Sequence, residues 1–230
     1  MNGLRWAVYV AIASQLLPPA VALLRPTADR TRSKVVLWCL VLFLFDMLES
    51  ASTRLGYSSN LWLEYIFEPT QALLTFWILY DWQAGELSRL AIRFLAPIFL
   101  VAMVSLTLLV KELRTFSLMT TSLTALVLLC LALYTLLTRS LSAGENPARF
   151  DWFWICSGYS LYFIGMIGYD PILRRLMGGN PDAAFAVPAA KSVSDTIAML
   201  MIAKGLLCTI PQLRSRGSSS PRSSRPLSFS

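Results

Sequence analysis

Apolar runs long enough to cross a lipid bilayer fill most of this 230-residue chain. A membrane-spanning helix needs about 20 mostly apolar residues to cross a hydrocarbon core of roughly 30 Å. Seven runs are close to that length, at residues 4–24, 35–52, 61–80, 90–110, 116–137, 152–172 and 184–210. The sequence therefore predicts an all-α polytopic membrane protein, with a bundle of seven transmembrane helices within residues 1–211.

The composition agrees with a membrane domain. Hydrophobic residues make up 56% of the chain and charged residues 14%, whereas a soluble domain carries about 25% charged residues. The apolar runs leave no segment long enough to build a separate soluble core. Residues 212–230 are rich in Ser, Arg and Pro, and we expect them to form a disordered basic tail.

Basic residues concentrate in alternate connections between the runs and therefore predict an orientation. The richer side holds Arg25, Arg30, Arg32, Lys34, Arg89, Arg139, Arg149 and the arginines of the tail. Because cytoplasmic loops carry an excess of Lys and Arg, we expect the N-terminus outside and the C-terminus in the cytoplasm, in the plasma membrane. If the first run were a cleaved signal peptide, six spans would remain, but its apolar stretch exceeds the typical core of about 7–15 residues.

Several classes of function are disfavoured by what the chain contains. It has no histidine, and its four cysteines are scattered through apolar runs, which argues against zinc, haem and Ser-His or Cys-His nucleophile sites. The carboxylates come without a nucleophile, a set of metal ligands or a catalytic motif, so they define no reaction. The net charge of +7 lies largely in flanking loops and the tail, as expected for topology signals, so a nucleic-acid partner is not indicated.

The third run carries a stripe of polar residues. Glu64, Glu68, Gln71 and Thr75 follow helical spacing and so share one face. Carboxylates are costly in lipid unless they face a protein interior or water, so this face is predicted to line a cavity or a helix interface. In the alternative interpretation, Glu64 lies at the membrane surface and only Glu68 is buried. Pro69 removes one backbone hydrogen bond within the same turns.

The second and seventh runs add further ionisable groups. Asp46 and Glu49 are three residues apart, and Lys191 and Asp195 form an i,i+4 pair. With a rise of 1.5 Å per residue, Asp46 lies about 16 Å along its run and Lys191 about 10 Å from the start of its own. Both positions fall in the predicted outer half of the bilayer. The excess of carboxylates over Lys191 favours their protonation or the binding of a cation, although a snorkelling Glu49 and a structural Lys191–Asp195 clasp are alternatives.

Tyrosines on the sixth run are further candidates for the same cavity. Tyr159, Tyr162, Met166 and Tyr169 share one helical face. Tyr162 is the predicted ligand-facing or proton-binding residue of this set. Ordinary aromatic packing explains the pattern equally well.

The predicted seven-helix arrangement resembles known families of seven-helix membrane proteins in architecture only. The chain resembles microbial rhodopsins in three features: a lysine in the seventh helix, an outside N-terminus and carboxylates on other helices. This resemblance implies retinal bound to Lys191. However, Asp195 follows the lysine, whereas the counterion of that family precedes the lysine by one turn. The only Pro-Gln dipeptide, at 211–212, lies at the wrong end for the PQ-loop transporters. Motifs of G-protein-coupled receptors resembling DRY or NPxxY are also missing from the sequence.

Three functions fit these patterns. The first is a small receptor or sensor that binds a ligand in a polar, acidic cavity in the outer half. The second is a proton-coupled or cation transporter that uses the same carboxylates, and the third is an accessory subunit with membrane-protein partners. Transport needs a route through both leaflets, whereas the polar groups lie in one half. The sequence therefore favours a receptor or sensor in contact with the lipid bilayer and an unknown small ligand or cation.

The orientation is testable with a reporter that is active on one side of the membrane only. We expect a reporter fused after Ser230 to be active in the cytoplasm, because the basic connections and the tail share that side. Activity confined to the outer side would overturn the orientation and the assignment of the carboxylates to the outer half.

Overall fold

The computed structural model describes residues 2–24, 29–55, 61–83, 85–109, 113–144, 146–177 and 181–208. Within these ranges the chain is entirely helical, with eight α-helices and one 3₁₀ turn and no strand. The α-helices are α1 (Asn2–Ser14), α2 (Leu17–Leu24), α3 (Arg30–Arg54), α4 (Leu61–Asp81), α5 (Glu86–Leu109), α6 (Leu113–Ser142), α7 (Asp151–Met177) and α8 (Pro181–Leu207). The tail predicted at 212–230 lies outside the described residues.

Four helical stretches are long and apolar enough to cross a membrane. They are Trp6–Leu24, Arg30–Arg54, Glu86–Leu106 and Thr120–Ser142, which correspond to the first, second, fourth and fifth predicted runs. The other three predicted runs coincide with α4, α7 and α8. The all-helical, membrane-like character is therefore confirmed, whereas the number of spans and the orientation of the termini stay predictions.

The first run, predicted as one continuous helix, is broken in the middle. α1 ends at Ser14, where Gln15 and Leu16 donate to the carbonyls three residues back at 3.2 and 3.1 Å. Pro18 and Pro19 have no N–H to offer the carbonyls of residues 14 and 15. Both prolines fit the first turn of α2, where helical N–H groups have no partner in any case. The prolines thus divide the run and place Gln15 at the break.

The helices form a closed ring. Going round it, α2 contacts α3, α3 contacts α4, α4 contacts α6, α6 contacts α7, α7 contacts α8, and α8 returns to α1 and α2. α5 packs outside the ring against α4 and α6. Aromatic side chains fill the centre: the Trp38 ring lies 4.7 Å from Tyr159 and 5.4 Å from Tyr162, in edge-to-face geometry, and all three side chains are buried.

α7 and α8 make the most extensive contact in the bundle, and glycines allow it. A Cβ on Gly158 would lie 2.8 Å from the carbonyl oxygen of Ala198 and 2.7 Å from Cγ1 of Ile202. A Cβ on Gly205 would lie 2.5 Å from Cγ1 of Ile155. Small residues that let backbones approach closely are typical of helix pairs in membranes, because van der Waals packing drives association there.

Gly158→Ala should therefore destabilise the protein. The added methyl group meets a backbone oxygen that cannot rotate away, and overpacking of this kind costs roughly 1–3 kcal/mol. That loss exceeds the gain of about 0.5–1 kcal/mol from replacing glycine in a helix. We expect a lower melting temperature in detergent for Gly158→Ala and a smaller decrease for the control Gly85→Ala, whose Cβ would meet only Ser88 Oγ at 3.8 Å. Equal melting temperatures for both variants would contradict the close-packing account.

Candidate functional site

A cavity of about 610 Å³ lies between α1, α3 and α8. It is found where α3 finishes and α8 begins, which we call the cavity end of the bundle. α1 contributes a largely apolar wall that includes Val8 and Ile12. The charged side chains lie on the other two helices: Asp46, Glu49, Arg54, Lys191 and Asp195. The cavity thus brings together all four ionisable residues that the sequence singles out on the second and seventh runs.

Two short contacts organise the charges in this cavity. Lys191 Nζ donates to Asp195 Oδ2 at 2.7 Å, and Gln15 Nε2 donates to Asp46 Oδ2 at 2.5 Å. The second contact depends on the break between α1 and α2, which sequence reasoning missed although Pro18 and Pro19 are its signal. The cavity floor is therefore built from a helix break facing α3 and an ion pair within α8.

Asp195 links the cavity to the interior of the bundle. Its Oδ2 pairs with Lys191, whereas its buried Oδ1 has no hydrogen-bond partner within the described ranges. A Cβ on Gly165 would lie 3.8 Å from that Oδ1, so this oxygen faces α7. Lys191 Nζ lies 5.8 Å from the centroid of the Tyr162 ring, so the buried Tyr162 of α7 lies next to the same ion pair.

The polar stripe of α4 faces the interior, as its spacing predicts. Glu68, Gln71 and Thr75 are 2%, 0% and 0% exposed. Glu68 Oε1 accepts a hydrogen bond from Thr121 Oγ1 of α6 at 2.9 Å, and Thr75 Oγ1 accepts one from Trp38 Nε1 at 3.0 Å. The stripe therefore joins three helices, with Glu68 and Gln71 lying behind the cavity rather than on its wall.

Not every predicted site residue can be placed in this way. The backbones of Glu64 and Tyr169 lie in α4 and α7, but their side chains are outside the part of the chain that the structure describes. Glu49 is exposed near the mouth of the cavity. Among the described residues, no three carboxylate or cysteine side chains come together as a metal site would require.

At the opposite end of the bundle lies an ion-pair cluster that the sequence did not reveal. Arg32 is 5% exposed, and its Nε lies 3.4 Å from Asp151 Oδ2. Its Nη1 donates to the Leu206 carbonyl at 3.4 Å, and its Nη2 donates to the Cys208 carbonyl. A cation at the last carbonyls of a helix also interacts favourably with the helix dipole. Arg32 thus joins the start of α3, the start of α7 and the end of α8.

Lys34 has a similar structural role. Its Nζ lies 2.5 Å from Asp81 Oδ2 and 4.2 Å from the centroid of the Trp77 ring. Sequence reasoning assigned Arg32 and Lys34 to membrane orientation alone, and that interpretation is incomplete because both are buried in ion pairs. The signal in the sequence was an acidic residue at the end of two other runs: Asp81 directly after the third run and Asp151 directly before the sixth.

Comparison with known proteins assigns no family. No protein-family model matches the chain, and no curated protein or solved structure matches it either. The function therefore has to be argued from the cavity, its charges and the packing around it.

The Lys191–Asp195 contact predicts coupled effects on stability. Removing one partner of a fully buried pair costs about 3–5 kcal/mol, and we expect about 1–3 kcal/mol here because the Lys191 side chain is 28% exposed. Lys191→Met and Asp195→Asn should each lower the melting temperature in detergent. The double mutant should recover part of the loss, because no charge is then left without its partner.

A strictly additive double mutant would show that the two side chains are not coupled. Lys204→Met is a suitable control, because Lys204 lies over the Trp154 ring at 3.5 Å at the opposite end of α8, away from Asp195. The Lys191→Met sample also tests retinal attachment, since a Schiff-base pigment would lose its visible absorbance with this lysine.

Proposed function

We propose that this chain is a receptor- or sensor-like membrane protein that binds a small polar ligand in the cavity between α1, α3 and α8. The observation that carries the proposal is the cavity itself, because about 610 Å³ is within the range of about 300–1,000 Å³ typical of small-molecule sites. Charged groups of both signs line it, and such groups fix the orientation of a ligand.

The lining favours a ligand that carries a positive charge. Three carboxylates, of Asp46, Glu49 and Asp195, face the cavity together with two cations, of Lys191 and Arg54. Lys191 is engaged by Asp195 at 2.7 Å, and Arg54 Nη2 donates to the Tyr9 hydroxyl at 3.0 Å. A small amine would compensate the excess of acid, and its hydrocarbon part would contact the apolar wall of α1.

Packing below the cavity supports binding rather than passage. Trp38, Tyr159 and Phe163 are 0% exposed and fill the centre of the bundle. Beyond them, the Arg32–Asp151 pair joins α3 to α7 at the opposite end. Transport requires that a site become accessible from both sides, and in this arrangement the ligand site opens at one end. By this proposal the cavity faces outward from the cell membrane, in keeping with the predicted orientation.

A proton-coupled or cation transporter is the second candidate, and one observation favours it. Glu68 and Gln71 lie buried behind the cavity, at a depth that a simple binding pocket does not need. Chains of ionisable residues inside a membrane commonly mark ion or proton pathways.

The proposal is tested by purifying the full chain from its native membrane and identifying co-purifying small molecules by mass spectrometry. We expect a small cationic compound with the wild type and a loss of roughly 10- to 100-fold in its affinity for Asp46→Asn. This range corresponds to about 1.5–3 kcal/mol for a hydrogen bond to a charged group. Glu86→Gln is the matched control, since Glu86 is exposed at the start of α5, and it should retain the compound.

Two other outcomes would contradict ligand sensing. A stoichiometric protein partner without any small molecule would indicate an accessory subunit. Cation or proton flux into vesicles that contain the purified protein, abolished by Glu68→Gln but retained by Glu86→Gln, would indicate a transporter.

A further inference from the structure

Two arginines from different helices are fixed side by side at the end of the bundle opposite the cavity. Arg139 of α6 donates from Nε to the carbonyl oxygen of Trp82, just past the end of α4. Arg89 of α5 donates from Nε to the next carbonyl, that of Gln83, at 3.1 Å. Consecutive carbonyls therefore anchor the two guanidinium groups, and their charges act on each other.

Neither guanidinium is neutralised by the part of the chain that the structure describes. The ion pairs found there involve Arg32, Lys34 and Lys191, but not Arg89 or Arg139. Asp151 acts on Arg139 from a distance and is already paired with Arg32 at 3.4 Å. Two cations held together without a carboxylate repel each other, so an anion between them would stabilise the arrangement.

A third arginine extends the same patch. Arg93 is exposed and lies four residues after Arg89 on α5, so the two share a helix face. Like charges at this spacing destabilise a helix by a few tenths of a kcal/mol, which again favours a bound anion. Next to Arg89, Ser88 Oγ of α5 and the Tyr134 hydroxyl of α6 lie 2.8 Å apart, a hydrogen bond that holds the two helices together beside the arginines.

The surface around the arginines is apolar and open. Leu90, Phe94 and Leu137 are 48%, 60% and 60% exposed, and α5 lies on the outside of the ring. In a membrane this surface contacts lipid chains. The anion that suits the site therefore has hydrocarbon attached to it, as a phospholipid does.

We propose that Arg89, Arg139 and Arg93 bind the phosphate of an anionic phospholipid headgroup, whose acyl chains lie against α5 and α6. Arg89 and Arg139 each use Nε to hold a carbonyl, which leaves their Nη groups as donors, the geometry that suits phosphate oxygens. Basic pockets between helices near the membrane surface are a common form of lipid recognition. This site is separate from the ligand cavity.

Lipid titration of the purified full chain in detergent tests this site. We expect phosphatidylglycerol to raise the melting temperature and phosphatidylcholine to leave it unchanged. The double variant Arg89→Gln/Arg139→Gln should weaken phosphatidylglycerol binding on the order of 30-fold, at about a fivefold loss for each arginine near a charged membrane surface. Arg149→Gln is the matched control, because Arg149 is exposed at the same end of the bundle, and it should bind as the wild type does.

Arg93→Gln keeps the test valid if loss of the Arg139 contact with Trp82 unfolds the double variant. Its side chain is exposed, and its loss should weaken binding by about fivefold. An equal loss in Arg149→Gln would show a general attraction to the basic face and overturn the site. Equal stabilisation by inorganic phosphate would identify a soluble anion and overturn the lipid assignment, and equal stabilisation by phosphatidylcholine would do so as well.

Discussion

Close contact between α7 and α8 sets the positions of the polar groups on α8. Where the backbones meet, Gly158 faces the carbonyl of Ala198, and this antiparallel register places Ser194 Oγ 3.4 Å from the carbonyl of Leu161. At the cavity end it brings Asp195 beside Gly165. A shift of α8 by one residue would turn Asp195 about 100° away from α7. The site therefore depends on residues that have no side chain to contribute.

The charges around Arg32 and Lys34 are arranged differently from the charges in the cavity. Arg32 and Lys34 are buried against Asp151 and Asp81, an arrangement in which each partner offsets the desolvation of the other. At the cavity end, three carboxylates share the lining with two cations. Charges that are buried and paired with one another suit a structural joint, whereas charges that line a cavity can be reached by a ligand. The difference is why we assign the first cluster to the fold and the second to function.

The helices were predictable from the sequence because apolar length and helical spacing are local properties. Six of the seven runs coincide with single helices and the first with α1 and α2, and the inward face of Glu68, Gln71 and Thr75 follows from their spacing. What could not be read is which helices are neighbours across the ring. The hydrogen bonds of Gln15 to Asp46 and of Thr121 to Glu68 join residues 31 and 53 positions apart. The two prolines, Pro18 and Pro19, indicated the break, but the length of the apolar run favoured one continuous helix.

The contacts of Arg32 also constrain the order in which the protein can assemble. Asp151 lies 119 residues further along the chain, and the carbonyls of Leu206 and Cys208 lie 174 and 176 residues further. At about 5–20 residues per second, the ribosome needs roughly 6–35 seconds to deliver these partners after Arg32 is made. During that interval Asp29, 3.8 Å away in the finished fold, is the nearby partner on the chain already synthesised. Arg32 therefore gains its final contacts late, and a chain truncated within α8 leaves this arginine without the carbonyls that hold it.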